Sequence, residues 1–111
     1  MLFNVLKGKI HMARVTDKQK EYEGSITIDE NLARKAGLLR YEKVLVADVE
    51  TGDRFNTYVI YGGEGEICIN GAAANLVEIG DRVIIMAFGM TDKIDFIPSI
   101  VKVDENNRIK E

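Results

Sequence analysis

The sequence predicts one mainly β domain with about seven short strands and one or two short helices. Three observations lead to this prediction. Short runs of β-branched and aromatic residues recur along the chain, turn signals separate them every ~8–12 residues, and only residues 29–37 carry a clear helix pattern. A chain of 111 residues is long enough to bury roughly two-thirds of its unfolded surface in one core. The strand spacing is typical of a small barrel or sandwich and does not choose between them.

The first third of the chain predicts strands around one polar loop. Residues 3–16 are rich in β-forming residues and are broken by Gly8, which predicts one long bent strand or two short ones. Residues 17–21 are all polar and predict a loop. Ser25–Ile28 alternates polar and apolar residues, as a half-buried strand does.

The helix prediction depends on signals at both ends of the segment. Asp29 is a plausible N-cap, basic residues follow in the last turn, and Gly37 is a typical stop. The helical period predicts a shared apolar face for Leu32, Ala36 and Leu39.

The remainder of the chain predicts a hairpin followed by short strands. Residues 44–49 and 55–61 are strand-like runs on either side of a turn at 50–53. The small residues at 70–76 suit a turn or a single helical turn. Further strands are predicted at 66–69, 82–88 and 98–104, with turns at 62–65 and 77–81 and a turn into a short edge at 105–108.

Composition excludes several classes of function. The net charge is −3 and no dense basic cluster occurs, so no nucleic-acid partner is expected. One cysteine, Cys68, allows no internal disulfide and favours a reducing compartment, so we expect a cytoplasmic protein. A single His and a single Cys predict no metal site. No apolar run reaches the ~18 residues of a membrane span, and the N-terminus resembles a first strand more than a signal peptide, so no membrane partner is expected.

The Gly24-Ser25 pair allows two interpretations: a turn that leads into a strand, or a site at which the chain cuts itself. A serine hydroxyl can attack the carbonyl of the preceding residue and move the acyl group from nitrogen to oxygen. Because an amide is normally much more stable than an ester, the fold must strain the peptide or stabilise the oxyanion. Glycine before serine helps, since it tolerates unusual backbone conformations. The pair by itself predicts only a turn, because such pairs are common.

Several motifs favour the interpretation that the chain cuts itself at this pair. They are KGKIH near the start, YEGSITID at residues 22–29, GDRFNTY at 52–58, NGAAA at 70–74 and GDRVII at 80–85. In this order and at these spacings the set resembles the aspartate 1-decarboxylase family, which is pyruvoyl-dependent. The resemblance runs from about Lys7 to Ile85. YEGSITID and NGAAA are specific when they occur together, GDRF and GDRV are weak, and the tail after Phe88 adds nothing to the match.

The resemblance implies a fold, an assembly and a maturation step. The family forms a six-stranded double-psi β-barrel and assembles as a homotetramer with active sites between neighbouring subunits. Self-cleavage between Gly24 and Ser25 would leave a β chain of residues 1–24 and an α chain of residues 25–111. Ser25 would become a covalent pyruvoyl group, which forms a Schiff base with L-aspartate and replaces pyridoxal phosphate as the electron sink. The product would be β-alanine, a precursor for pantothenate and coenzyme A.

The resemblance also implies roles for single residues. Ser25 and Tyr58 would be catalytic, as pyruvoyl precursor and proton donor. Gly24 would supply the scissile carbonyl, with Thr57 and Asn70 assisting processing. Asn70 is also expected to fix the turn that follows it. The substrate-binding residues would be Lys9, Arg54, Thr57, Gly71, Ala72 and Ala73, with His11 and Tyr22 as further candidates near the site.

The residue types alone allow plainer interpretations. Tyr58 could pack at a barrel rim, Arg54 could be a solvated turn residue, and Lys9 could serve solubility at a strand edge. We interpret Cys68 as a small buried hydrophobe and not as a nucleophile. Ala47 departs from better-known family members, which carry an aromatic residue there, so a difference in substrate packing or rate is expected, though not in the type of reaction.

Two other functions compete with a self-processing enzyme. One is a small β-barrel that never cuts itself and holds an anionic metabolite near Arg54 and Ala72. The other is a DNA-binding barrel related to swapped-hairpin transcription factors. The acidic charge balance weighs against the second, because DNA binding depends on phosphate contacts from Lys and Arg.

Overall fold

A computed structural model describes all 111 residues and shows one mixed sheet of eight strands with two short helices. The prediction of a mainly β chain with one or two short helices is confirmed, with one strand more than expected. No helix is long and apolar enough to cross a membrane. The strands are β1 (Phe3–Arg14), β2 (Asp17–Gln19), β3 (Ser25–Asp29), β4 (Lys43–Asp48), β5 (Arg54–Gly62), β6 (Ile67–Asn70), β7 (Arg82–Thr91) and β8 (Ser99–Lys102), and the helices are α1 (Glu30–Lys35) and a 3₁₀ helix (Gly71–Leu76).

The strand order makes the sheet curl back on itself. The order is β2-β6-β3-β5-β4-β7-β1-β8, so β1 and β2 lie near opposite ends although they follow each other in the chain. Residues 15 and 16 join the two ends, because Val15 N–H donates to the Asp81 carbonyl and Thr16 N–H to the Ile67 carbonyl. This arrangement is compatible with a small β-barrel, and the double-psi form stays a prediction.

The N-terminal segment forms one long bent strand, which settles the choice that the sequence left open. Its pairing with β7 shifts register between Leu6 and Gly8 and again between Ile10 and Ala13. A Cβ at Gly8 would collide with the carbonyl oxygen of Ala36. Gly8 therefore lets the end of α1 dock closely on β1.

The helix ends are as predicted, but the apolar face is not. The Asp29 side chain caps α1 by accepting from Leu32 N–H, and Gly37 ends it at a φ of +73°. Leu32 and Ala36 are buried, whereas Leu39 is exposed. The left-handed turn at Gly37 breaks the helical phase, so Leu38 takes the buried place that the period assigned to Leu39.

Three further boundaries differ from the predictions. Residues 17–19 form the edge strand β2 instead of a loop, because they pair in parallel with β6 while Asp17 and Gln19 stay exposed. β7 continues to Thr91, where it still pairs with Phe3. The last strand, β8, is shorter than predicted. After the turn that follows it, Ile109 forms an antiparallel bridge with Val103, and this bridge corresponds to the predicted short edge. The hairpin of β4 and β5 is confirmed, and residues 71–76 form the helical turn.

The core consists of aliphatic side chains on the inner face of the curled sheet. Each such side chain contributes about 1.5–3 kcal/mol when fully buried. Because β3 and β6 contribute several of them, the ends of these two strands are held rigidly. The largest fully buried side chains include Ile10, Ile26, Ile28, Ile67, Ile69 and Ile85.

Candidate active site

Three strands meet at Ser25. Ser25 is the first residue of β3 and pairs with Asn70, the last residue of β6. On the other side of β3, Ile26 pairs in parallel with Val59, so the preceding residues Ser25 and Tyr58 are neighbours across the two strands. Ser25 is only 4% exposed. The sheet therefore places the serine of the Gly24-Ser25 pair at a buried junction.

A hydrogen-bond network fixes the Ser25 side chain. The amide nitrogen of Asn70 donates to Ser25 Oγ over 2.9 Å and to Thr27 Oγ1 over 3.0 Å. The amide oxygen of Asn70 accepts from Cys68 Sγ over 3.3 Å. Because Ser25 Oγ is the acceptor in its bond, the hydroxyl hydrogen remains available for another group. The structure thus holds the Ser25 oxygen in place without using its proton.

The Asn70 side chain does not fix the following turn as predicted. It makes no capping bond to the 3₁₀ helix. Its amide oxygen, the group that could accept a capping N–H, accepts from Cys68 Sγ instead, and both amide hydrogens go to hydroxyl groups on β3. Sequence analysis missed Thr27 as a neighbour of Ser25. Strand alternation offered a signal, since Ser25 and Thr27 share one face of β3, as Cys68 and Asn70 share one face of β6.

Cys68 is buried, in agreement with its interpretation as a small interior residue. Burial, with smaller contributions from Asp17 and Glu66, raises the pKa of its thiol to about 11. The thiol therefore keeps its proton at neutral pH and acts as a weak hydrogen-bond donor to Asn70 instead of a nucleophile.

Gly71 lies directly against Gly24. It has a φ of +82°, and a Cβ added there would lie 2.7 Å from the Gly24 Cα and 2.9 Å from the Gly24 nitrogen. Only glycine fits such an approach without moving the neighbouring chain. Along the same 3₁₀ helix Ala72 is exposed and Ala73 is half-buried. The start of this helix thus holds the segment that ends at Gly24.

A pocket of about 650 Å³ opens at Ser25. Tyr22, Tyr41 and Tyr58 contribute aromatic walls, and Thr27 and Asn70 contribute polar ones. Tyr41 was not among the residues predicted for the site. Three carboxylates also line the pocket, whereas no Lys or Arg does; the acidic residues are Asp17, Glu23 and Glu66.

The basic candidates lie apart from the pocket, on the outer face of β1 and β4 and at the beginning of β5, four residues before Tyr58. Lys9 pairs with Met86, and Ala47 pairs with Arg54. Ile10, next to Lys9, and Val46, next to Ala47, point into the core. Alternation therefore turns Lys9, His11, Ala47 and Arg54 outward. Neither Lys9 nor Arg54 has a side-chain hydrogen bond or ion pair within the chain. We call Lys9, His11 and Arg54 the basic face; Ala47 is the strand partner of Arg54 and is 7% exposed.

His11 is the most constrained member of the basic face. Its Nδ1 is buried without a hydrogen-bond partner. Partial burial and then the charges of Lys9, Lys102 and Lys110 lower its pKa. The ring is therefore mainly neutral at pH 7.

Thr57 lies on β5 beside Tyr58, pairs with Val44, and is not part of the pocket wall.

Comparisons with known proteins cover nearly the whole chain. Residues 1–110 match the family model described as aspartate decarboxylase. The aspartate 1-decarboxylase of Caldicellulosiruptor saccharolyticus is 54% identical, across 98% of this chain and 89% of the relative. That of Thermosipho africanus is 57% identical, across 96% and 92%, and that of Campylobacter hominis is 50% identical, across 100% of both. The match therefore continues past Phe88, where the motifs had added nothing.

Proposed function

The chain belongs to the aspartate decarboxylase family. We therefore propose that it converts L-aspartate to β-alanine and carbon dioxide after cutting itself between Gly24 and Ser25. Membership in the family supports the substrate and the reaction. The contact between Asn70 and the buried Ser25 hydroxyl carries the proposal for this chain, because it holds the oxygen beside the peptide that it would attack.

The proposed cut proceeds through the side chain of Ser25. Its Oγ attacks the Gly24 carbonyl carbon, the bond to the Ser25 nitrogen breaks, and that nitrogen leaves as a free amine. Loss of the Ser25 α-proton then expels the Gly24 carboxylate and leaves a dehydroalanine. Addition of water and loss of ammonia complete the pyruvoyl end. The products are residues 1–24 and 25–111.

The residues around Ser25 fit a pyruvoyl group at this position. Asn70 and Thr27 offer polar groups beside it, and the pocket leaves room for an amino acid. A pyruvoyl group supplies an electron-withdrawing carbonyl that binds the substrate amine and stabilises the electrons left when carbon dioxide departs. Tyr58 lies beside Ser25 with its side chain partly exposed to the pocket. We assign it the proton that the product carbon receives.

Near this junction we assign Thr57 to processing and to substrate contact. We assign substrate contact to the small residues Gly71, Ala72 and Ala73. Gly71 supports the assignment best, because it touches Gly24 directly. Backbone N–H groups of small residues can approach a ligand closely.

The pocket of one chain is poorly matched to the charge of its substrate. Aspartate carries two carboxylates, and the pocket wall adds three more without a lysine or an arginine. The basic face could supply the missing charge, yet Arg54 lies four strand residues from Tyr58, about 13 Å at the usual rise. We therefore propose a homotetramer in which the basic face of one chain completes the pocket of its neighbour. Arg54 and Lys9 would bind the substrate carboxylates there.

The intact mass of the denatured protein tests this proposal. Cleavage predicts a fragment of 24 residues and one of 87, since 111 − 24 = 87, and the larger begins without an amine. Ser25→Ala should stay a single 12.4 kDa chain and form no β-alanine. Ser99→Ala, at the only other serine, is the matched control and should be cut and active like the wild type.

Two results would contradict the proposal. One is β-alanine formation by Ser25→Ala, which would exclude the pyruvoyl mechanism. The other is a wild-type chain that stays intact after prolonged warm incubation and has no activity. That result would favour a small barrel that only binds an anionic metabolite.

A further inference from the structure

Tyr41 has an unusual backbone for an aromatic residue. Its φ is +68°, in the left-handed region that side chains with a bulky Cβ substituent avoid. Its side chain is 70% exposed, so burial of the ring cannot offset that strain. Strain of this kind persists where the surroundings impose it and is concentrated at functional sites.

The surrounding hydrogen bonds fix Tyr41 in this conformation. The Tyr41 N–H donates to the Val59 carbonyl over 2.7 Å, and the Val59 N–H donates to the Glu42 carbonyl over 3.0 Å. The Tyr61 hydroxyl donates to the Leu38 carbonyl over 2.8 Å. The loop is therefore tied to β5 on both sides of Tyr41, beside the strand that carries Tyr58.

The exposed ring is directed at the candidate site. Tyr41 and Tyr58 both line the Ser25 pocket. Their ring centroids are 6.4 Å apart with the planes tilted by 44°, which is within the favourable range for an aromatic pair. Tyr58 is itself 37% exposed, and its hydroxyl makes no hydrogen bond within the chain, unlike that of Tyr61.

We propose that Tyr41 is a positioning residue for Tyr58, with its ring holding the Tyr58 phenol in place over the Ser25 pocket. The proposal rests on the function proposed above, since it assumes that Tyr58 delivers the proton. An unsupported ring on an open strand would sample other rotamers, and small misplacements of a catalytic group cost much of its effect. On this proposal the strained, exposed Tyr41 contributes through its contact with Tyr58 and not through stability.

Three substitutions of Tyr41 test the proposal through enzyme kinetics. Tyr41→Phe keeps the ring, whereas Tyr41→Gly and Tyr41→Asn remove it and suit a positive φ. All three should be cut at Gly24–Ser25 like the wild type. Tyr41→Gly and Tyr41→Asn should lose at least ~10-fold in kcat with KM within ~2-fold, and Tyr41→Phe should stay within ~2-fold of wild-type kcat. The melting temperatures of Tyr41→Gly and Tyr41→Asn should not fall.

Several results would overturn the proposal. Unchanged kcat in both variants without the ring would show that Tyr58 needs no support. A raised KM with unchanged kcat would mean that Tyr41 contacts substrate instead. Loss of activity in Tyr41→Phe would assign the role to the Tyr41 hydroxyl.

A second measurement does not depend on turnover. With 3-fluorotyrosine incorporated, the Tyr58 signal can be assigned by its loss in Tyr58→Phe and followed by ¹⁹F NMR. In Tyr41→Asn this signal should move and sharpen as the Tyr58 ring gains freedom, and an unchanged signal would contradict the contact. Because Ser25→Ala can carry the same labels, failure of the decarboxylase proposal and failure of the positioning proposal remain distinguishable.

Discussion

The side-chain amide of Asn70 donates to the hydroxyl oxygen of Ser25 and joins the end of β6 to the beginning of β3. These residues are 45 positions apart in the chain. The same amide donates to Thr27 and accepts from Cys68, so the serine belongs to a hydrogen-bonded network of four side chains. Such networks hold side chains in one conformation, and removal of a single member leaves the others unsatisfied.

Replacing Asn70 should slow self-cleavage. In Asn70→Ala, Ser25 loses its donor and Cys68 and Thr27 lose a partner, at a cost of about 1–3 kcal/mol. We expect cleavage to slow by roughly tenfold to a hundredfold, because the hydroxyl is no longer held at the Gly24 carbonyl. Mass spectrometry over time gives the rate. Asn75→Ala, an exposed asparagine on the neighbouring 3₁₀ helix, is the control, and equal rates for the two variants would contradict the role of Asn70.

Gly71→Ala should block cleavage through contact with Gly24. A methyl group there would meet the Gly24 Cα at 2.7 Å and displace the scissile peptide. Gly80→Ala is a matched control, since Gly80 has a φ of +95° but no atom within 4 Å of the added carbon. Both variants should lose about 1–2 kcal/mol of stability from the backbone, and only Gly71→Ala should stay uncut. Normal cleavage of Gly71→Ala would show that the close approach is not needed.

Arg54→Gln should weaken substrate binding without affecting cleavage. Loss of one carboxylate clamp is expected to raise KM for aspartate by at least ~10-fold. Arg34→Gln, which removes an exposed helix ion pair with Glu30, is the control and should change little. An unchanged KM in Arg54→Gln would remove Arg54 from the site.

Mixed oligomers test whether the site lies between subunits. Co-expression of Ser25→Ala with Arg54→Gln should restore part of the activity, because some interfaces would combine an intact pocket with an intact basic face. If each chain contained its whole site, no mixture would exceed the activity of Arg54→Gln alone. Size-exclusion chromatography with light scattering provides the oligomeric state of each mixture.

Asp48 should make stability depend on pH. It is 1% exposed at the end of β4. Burial and then a hydrogen bond with Asp81 raise its pKa to about 6 from 3.8. Its Oδ2 has no donor unless a proton is shared between the two carboxyl groups. The neighbouring Glu50 stays ionised, because hydrogen bonds from Arg82 lower its pKa to about 2.

The sign of the pH effect follows from proton binding. Between pH 3.8 and about 6 the folded chain keeps a proton on Asp48 that the unfolded chain releases. The contribution of Asp48 to the free energy of unfolding is therefore full below this window and is lost as the pH rises through it. Asp48→Asn should remove this loss and be more stable than the wild type at pH 7, whereas Asp53→Asn, an exposed control in the same hairpin, should follow the wild type. Urea unfolding from pH 4 to pH 8 measures both, and parallel curves for wild type and Asp48→Asn would contradict the assignment.

Local signals predicted the parts of the fold that local interactions determine. Asp29 and Gly37 act within a few residues of α1, so both of its ends could be predicted from the sequence. Strand β2 at residues 17–19 could not be predicted in this way, because it exists only through pairing with β6 some 50 positions away. The predicted burial of Leu39 was wrong, because the left-handed conformation of Gly37 changes the direction of the side chains that follow it.

The site shows the same division. The motifs indicated Ser25 and Asn70 separately, but the bond between them depends on the pairing of β3 with β6. Tyr41 gave no local signal, because tyrosine is an unlikely residue for a positive φ and its ring reaches Tyr58 only through the tertiary fold. The separation of the pocket from the basic face likewise follows from the sheet order and not from spacing along the chain.

The interior position of β1 affects what a cut at residue 24 would do to folding. β1 lies between β7 and β8, so residues 1–24 would remain hydrogen-bonded on both sides after the peptide is broken. Once cut, however, the two pieces separate when they unfold, and the native state can re-form only after they meet again. The midpoint of unfolding would then rise with protein concentration, as it does for a heterodimer, whereas uncut Ser25→Ala would refold as a single chain. Maturation would in this way make unfolding effectively irreversible at high dilution.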